Sequence, residues 1–199
     1  ALGQHVRTHL ALGRRALEQG QAAEARRQFE AALTSPPNLG EAKHLLANQS
    51  DIHFWLGEAC AALGDHSAAR GHWQAAAAFQ GDFQEMKARA FSELTYFSIR
   101  SLQRMGRKAA AGRLARQLLA YARELAVAEA KIEYFATSLP TMLLFEEDLA
   151  FRQKTTALFL EAQARLALGQ LGAARRQLAR VLERDPNHAL AADLQQWEG

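Results

Sequence analysis

Few side chains in this sequence are spaced for chemistry, and each defines what must be tested. His5 and His9 stand four apart, a spacing that lets two imidazoles on one helix share a metal ion. No third ligand follows at matching spacing and no His-Glu-x-x-His run occurs, so they read as a surface or packing pair. Glu146, Glu147 and Asp148 form a carboxylate run. Glycoside cleavage needs two carboxylates facing each other across a cleft. Adjacent residues on one helix diverge, so this run reads as a helix junction capped by Asp148. Cys60 is the single cysteine, which leaves no internal disulfide and no cysteine-based zinc site. Asn48-Gln49-Ser50 has the form of a glycosylation acceptor, a short motif that also needs a secretory setting. No phosphate-binding glycine loop, nucleophile elbow or redox cysteine pair appears. No catalytic residue, metal or cofactor is assigned, and the chain reads as non-catalytic.

The elements carrying these residues are helical. Of 199 residues, 49% are apolar and 23% charged, an ordinary globular balance. Strong helix formers dominate, and the four prolines stand where helices would stop. With 24 basic against 21 acidic residues, a net charge of +3 provides no concentrated cationic face. Arg26-Arg27, Arg113, Arg116, Arg123 and Arg175-Arg176 fall on outer helix faces without interleaved aromatics, so no nucleic-acid partner is expected. No run reaches 18 consecutive apolar residues, and no membrane span is expected. The sequence begins at Ala1 without methionine or a signal-peptide pattern and reads as a piece of a longer protein. The lone cysteine suits a reducing compartment, and a cytoplasmic location is the expectation.

Self-comparison reveals a repeat. Gly13, Gly20, Ala25, Phe29 and Ala32 recur at identical spacing as Gly57, Gly64, Ala69, Trp73 and Ala76, and again as Ala162, Gly169, Ala174, Leu178 and Val181. A weaker copy holds Gly106 and Ala111, with Ala115 where the large residue belongs. Gly20, Gly64, Gly106 and Gly169 should end first helices in the left-handed region. Gly13 and Gly57 let the two helices of a hairpin approach, and Phe29, Trp73 and Leu178 fill the space between hairpins.

These residues resemble the tetratricopeptide repeat (TPR) family, whose pattern spans about 34 residues. The resemblance implies an all-α, TPR-like α-solenoid of about four helical hairpins with extra helices and a C-terminal capping helix. Repeats are expected near 5–37, 51–80, 83–126 and 149–186, with an insertion at 127–148 and a capping helix at 188–197, all within one domain over 1–199. His9, His53, Thr95 and Leu158 replace the family's tryptophan, and His53 reads as core. The glycine marks lie 44, 42 and 63 residues apart, so material is added between copies. A short helix is expected before Ala47, a long helix from Asp82 to Met105 with Asp82 as cap, and a helix of nearly thirty residues seamed by Leu114, Leu118, Tyr121, Leu125, Ala128, Ile132 and Phe135. Tyr134, Phe135, Leu139, Met142 and Phe145 would dock the insertion.

In such repeats first helices line the concave surface, which takes protein segments. Leu10, Phe54, Tyr96 and Phe159 occupy equivalent slots there, with Arg14, Glu58, Arg100 and Gln163 one turn later. They predict an apolar-aromatic groove with charged selectors, in which Phe54, Tyr96 and Phe159 remain partly exposed. The expected partner is a protein segment or a neighbouring domain of the parent chain. The alternative is a homodimer through the 114–135 seam. The segments 38–53 and 133–142 are also similar to the C-terminal repeat region of large bacterial proteins with a preceding β-rich, carbohydrate-active region. That likeness implies an accessory role beside an enzyme.

Overall fold

The computed structural model describes residues 1–37, 47–79, 81–84, 87–130 and 149–197. The described residues are overwhelmingly helical and form TPR-like helical hairpins. They divide into two compact units, Ala1–Ala111 and Gly112–Gly199.

The first unit contains α1 (Leu2–Glu18), α2 (Ala22–Leu33), α3 (Ser50–Ala62), α4 (His66–Ala78), a ribbon of β1 (Asp82–Gln84) and β2 (Lys87–Arg89), and α5 (Thr95–Arg104). Helix α6 (Lys108–Val127) begins in this unit and crosses the division; α7 (Leu149–Ala167), α8 (Leu171–Arg184) and α9 (Ala189–Trp197) belong to the second. Helices pair as α1/α2, α3/α4 and α7/α8. In the first unit α3 is packed by α1, α2, α4 and α5. Its core gathers Ala16, Ala25, Phe29, Ala32, Ile52, Leu56 and Ala59, with Val6, Leu10, Leu17, Leu33 and Trp55 packed on it.

Among the described residues, the four turns that follow a first helix share one construction. Gly20, Gly64, Gly106 and Gly169 have φ of 73°, 79°, 74° and 75°. At each, the glycine N–H donates three residues back, to Leu17, Ala61, Gln103 or Leu166. The next residue's N–H donates five back, to Ala16, Cys60, Leu102 or Arg165. These two bonds close the helix in a Schellman motif, satisfying carbonyls the helix would otherwise leave open. The third turn is built like the rest although its sequence copy is degraded. The second helices α2 and α8 stop at Leu33 and Arg184, ahead of Pro36-Pro37 and Pro186.

Two expected helices differ from what forms. The one expected from Asp82 to Met105 is replaced by an antiparallel ribbon pairing Asp82 with Arg89, and the helix starts only at Thr95. Asp82 does not cap a helix. It is buried, and its carboxylate accepts from the Asn48 backbone N–H at 3.4 Å, while the Asn48 amide donates to the Gly81 carbonyl at 2.8 Å. A contact 34 residues away in sequence outweighs the local capping preference.

The helix expected to run through Phe135 ends at Val127, and Ala128–Ala130 lie outside it. Leu118 on its seam is fully buried, while Leu114, Tyr121 and Leu125 are half-buried. The Gln153 side chain on α7 donates to the carbonyls of Leu125 (2.9 Å) and Ala128 (2.7 Å), groups a helix C-terminus leaves unsatisfied. Gln153→Ala should therefore destabilise the second unit by about 1–2 kcal/mol. Urea denaturation checks the magnitude, and faster amide exchange confined to the last turn of α6 checks the location. The short helix expected before Ala47, the residues Tyr134, Phe135, Leu139, Met142 and Phe145, and the carboxylates Glu146, Glu147 and Asp148 lie outside the described residues.

Candidate functional site

The slots expected to line a groove are built into the packing instead. Phe54 is 4% exposed, Tyr96 2% and Phe159 0%. Phe54 lies against Trp55 (ring centroids 5.2 Å apart) and Phe97 (5.8 Å), on the side of α3 covered by α5. Tyr96 meets Phe97 edge-to-face at 5.7 Å. In the second unit Phe159 is covered by the His188 ring at 4.4 Å, just ahead of α9. The expectation that these three rings stay partly exposed is therefore corrected. Leu10 is half-buried on the core around Phe29. Gln163, expected to select charge, is fully buried in α7. Once a first helix is covered by preceding, following and paired helices, an apolar residue on it has little open surface to meet.

One turn later in the first unit the side chains do reach solvent. The Arg14 guanidinium on α1 stands over the Trp55 ring on α3, 6.0 Å from its centroid, within cation–π range. Glu58 on α3 accepts two bonds from Arg104 on α5, at 2.8 and 2.5 Å. Arg100 donates to the Tyr96 hydroxyl at 2.7 Å and lies over that ring. The result is a polar rank crossing α1, α3 and α5: Arg14 and Trp55, then Glu58 and Arg104, then Arg100 and Tyr96. Arg14, Glu58, Arg100 and Tyr96 are the members of this rank expected from the sequence, whereas Trp55 and Arg104 are not. Trp55 carried a usable signal, as a large aromatic one residue beyond the assigned slot. Arg104 carried none, because its partner lies 46 residues away.

The other candidates resolve into structure. The His5 ring bonds the Ala31 carbonyl (Nε2 to O 3.1 Å) and the His9 ring bonds the Gln28 side-chain oxygen (Nδ1 to Oε1 2.7 Å), so both tie α1 to α2. Among the described residues no group of three or more His, Cys, Asp or Glu side chains is placed to hold a metal. Cys60 is buried, and burial pushes its thiol pKa up, away from the reactive thiolate. Asn48 is buried with its amide engaged, which makes it a structural residue and not an accessible glycosylation acceptor. His53 is half-buried, with its Nδ1 3.2 Å from that of His72.

A tetratricopeptide repeat model matches residues 6–31 and 52–75. These stretches lie in the hairpins α1/α2 and α3/α4, which supports a TPR family. No curated protein and no solved structure matches the chain. TPR hairpins commonly serve as protein-interaction scaffolds and are typically non-catalytic, which is the class of protein these hairpins point to. Among the described residues, no helix is long and apolar enough to cross a membrane.

Proposed function

We propose that this chain is a protein–protein or interdomain interaction scaffold, non-catalytic by itself, whose first unit reads a protein segment through the polar rank on α1, α3 and α5. The observation carrying this reading is the rank itself. Arg14 over Trp55 and Glu58 held by Arg104 place charged and aromatic groups of three successive first helices side by side at solvent. Arginine and tryptophan are the side chains that most often anchor protein interfaces. The binding groups thus differ from the groove first expected: Arg14, Glu58 and Arg100 remain, Trp55 and Arg104 join them, and the buried rings act as their support.

A neighbouring domain of the parent chain is the partner this reading favours. The test is site-specific photo-cross-linking in the parent protein. A cross-linker replacing Trp55 should capture the partner segment, and one replacing the exposed Arg70 on α4 should not. Equal capture at both positions, or capture only at Arg70, would exclude the rank as the binding face.

A further inference from the structure

The residue replacing the family's tryptophan does something in the second hairpin that it does not do in the first. His9 on α1 and His53 on α3 hold the same register, eleven residues before Gly20 and Gly64. Their partners, Gln28 on α2 and His72 on α4, also share a register, eight residues after those glycines. Each pair joins the two helices of its hairpin, at 2.7 Å in the first and 3.2 Å in the second. The acceptors differ in kind. Gln28 accepts through an amide oxygen, which can bond the His9 Nδ1–H of either the neutral imidazole or the imidazolium. The Gln28 amide in turn donates to Glu24 at 2.6 Å. The first bridge therefore survives protonation of its histidine.

The second bridge joins nitrogen to nitrogen. A hydrogen bond between two Nδ1 atoms requires one to carry the proton and the other to offer a lone pair. One imidazole of the pair can become a cation and keep this bond as its donor. If both are protonated, two N–H groups face each other and two positive charges meet across 3.2 Å. The rings stack at 5.5 Å between centroids, and His53 stacks in turn on Phe79 at 6.2 Å, so the pair is held together by its surroundings.

We propose that His53 and His72 form a proton-sensitive latch between α3 and α4, which keeps one proton between the two Nδ1 atoms and opens when both imidazoles are protonated.

Among the described residues, the charged groups of α2 near His72 are already paired with one another. From α2, Arg26 and Glu30 act on His72 with opposite signs and are bonded to each other at 2.7 Å, while Arg27 pairs with Glu24. From α5, Arg104 is held by Glu58 and Arg100 by Tyr96, and from α1, Arg14 lies over Trp55. The hairpin's own titratable and charged groups are Asp51, Glu58, Cys60, Asp65, His66 and Arg70. Asp65 is occupied as the N-cap of α4, accepting from the Ala68 N–H at 2.9 Å. Burial first, and Arg26 second, push the His72 pKa below the ordinary histidine value of 6.5. A base lowered on folding binds its proton more readily in the unfolded chain, so its contribution is complete above pH 6.5 and is lost as pH falls below it. Because α3 also carries Trp55 and Glu58, opening the latch would loosen the helix at the centre of the polar rank.

The test is a proton NMR titration of the imidazole Cε1–H signals in the full chain, with thermal unfolding of the wild type and of His72→Gln, which installs the amide of the first hairpin. The two imidazoles should titrate in two steps separated by about one pH unit or more. Between neutral pH and about pH 5, the wild type should lose about 2–4 °C more of its Tm than His72→Gln. One shared step near the ordinary histidine value, or an undiminished Tm loss in the variant, would overturn the latch. Should His72→Gln not fold, the wild-type titration decides alone.

Discussion

Phe29→Ala is expected to cost the first unit about 3–5 kcal/mol, read as a shift of its urea midpoint, because a fully buried ring is removed from the junction of three helices. Phe29 enters from α2, stacks toward Trp55 on α3 with centroids 6.2 Å apart, and lies directly against Gly13 on α1. A Cβ at Gly13 would stand 2.3 Å from Cε1, 2.6 Å from Cδ1 and 2.7 Å from Cζ of that ring. Gly13→Ala should therefore cost about 1–3 kcal/mol through overpacking. The same register in the fourth hairpin holds Ala162 and Leu178, both fully buried. A larger first-helix residue is thus matched by a smaller second-helix one. Gly13→Ala combined with Phe29→Leu reproduces that pair, and the double mutant should recover at least about 1 kcal/mol relative to the sum of the single losses. Strict additivity in the cycle would show that the glycine is not there to admit the ring.

This size matching also shows what could be read in advance. The hairpin turns were legible because their signal is local: a glycine at each helix end, and five residues on an alanine at Ala25, Ala69, Ala111 and Ala174, each fully or nearly fully buried. The third copy looked degraded because Ile99 and Ala115 exchange the small and large slots held elsewhere by Gly13 and Phe29. Its turn at Gly106 nevertheless makes the same two bonds as the others. The candidate site was legible only halfway. Periodicity shows that one helix face is apolar, but not how many neighbours cover it. Among the described residues α3 is packed by α1, α2, α4 and α5, so Phe54 is buried and the solvent-facing role passes to Trp55 and Glu58. The stop of α6 at Val127 was hidden for a related reason. The apolar series continues past it, and the side chain that satisfies its last carbonyls, Gln153, belongs to another helix.

Gly81→Ala is expected to cost about 2–5 kcal/mol, although nothing in the sequence around it suggests more than a helix break. Two separate terms produce this figure. Gly81 has φ of 73°, where any residue with a Cβ is strained by about 1–2 kcal/mol. Its Cβ would also lie 2.3 Å from the Arg89 carbonyl oxygen. That oxygen belongs to the backbone of β2 and cannot move aside without parting the ribbon. The damage should spread to α3, because the Gly81 carbonyl accepts from Asn48, Asn48 Oδ1 accepts from the Ser50 N–H at 2.9 Å, and Ser50 Oγ donates to the Leu94 carbonyl at 2.8 Å. Amide exchange should therefore quicken at Ser50 and the first turn of α3, while the turn at Gly20 stays protected. Gly20→Ala is the control that separates the two terms: its φ is also 73°, yet a Cβ there meets nothing within 4 Å. It should lose only the conformational part, about 1–2 kcal/mol. Equal losses in the two variants would remove the clash with Arg89 from the account and leave Gly81 as one more helix-ending glycine.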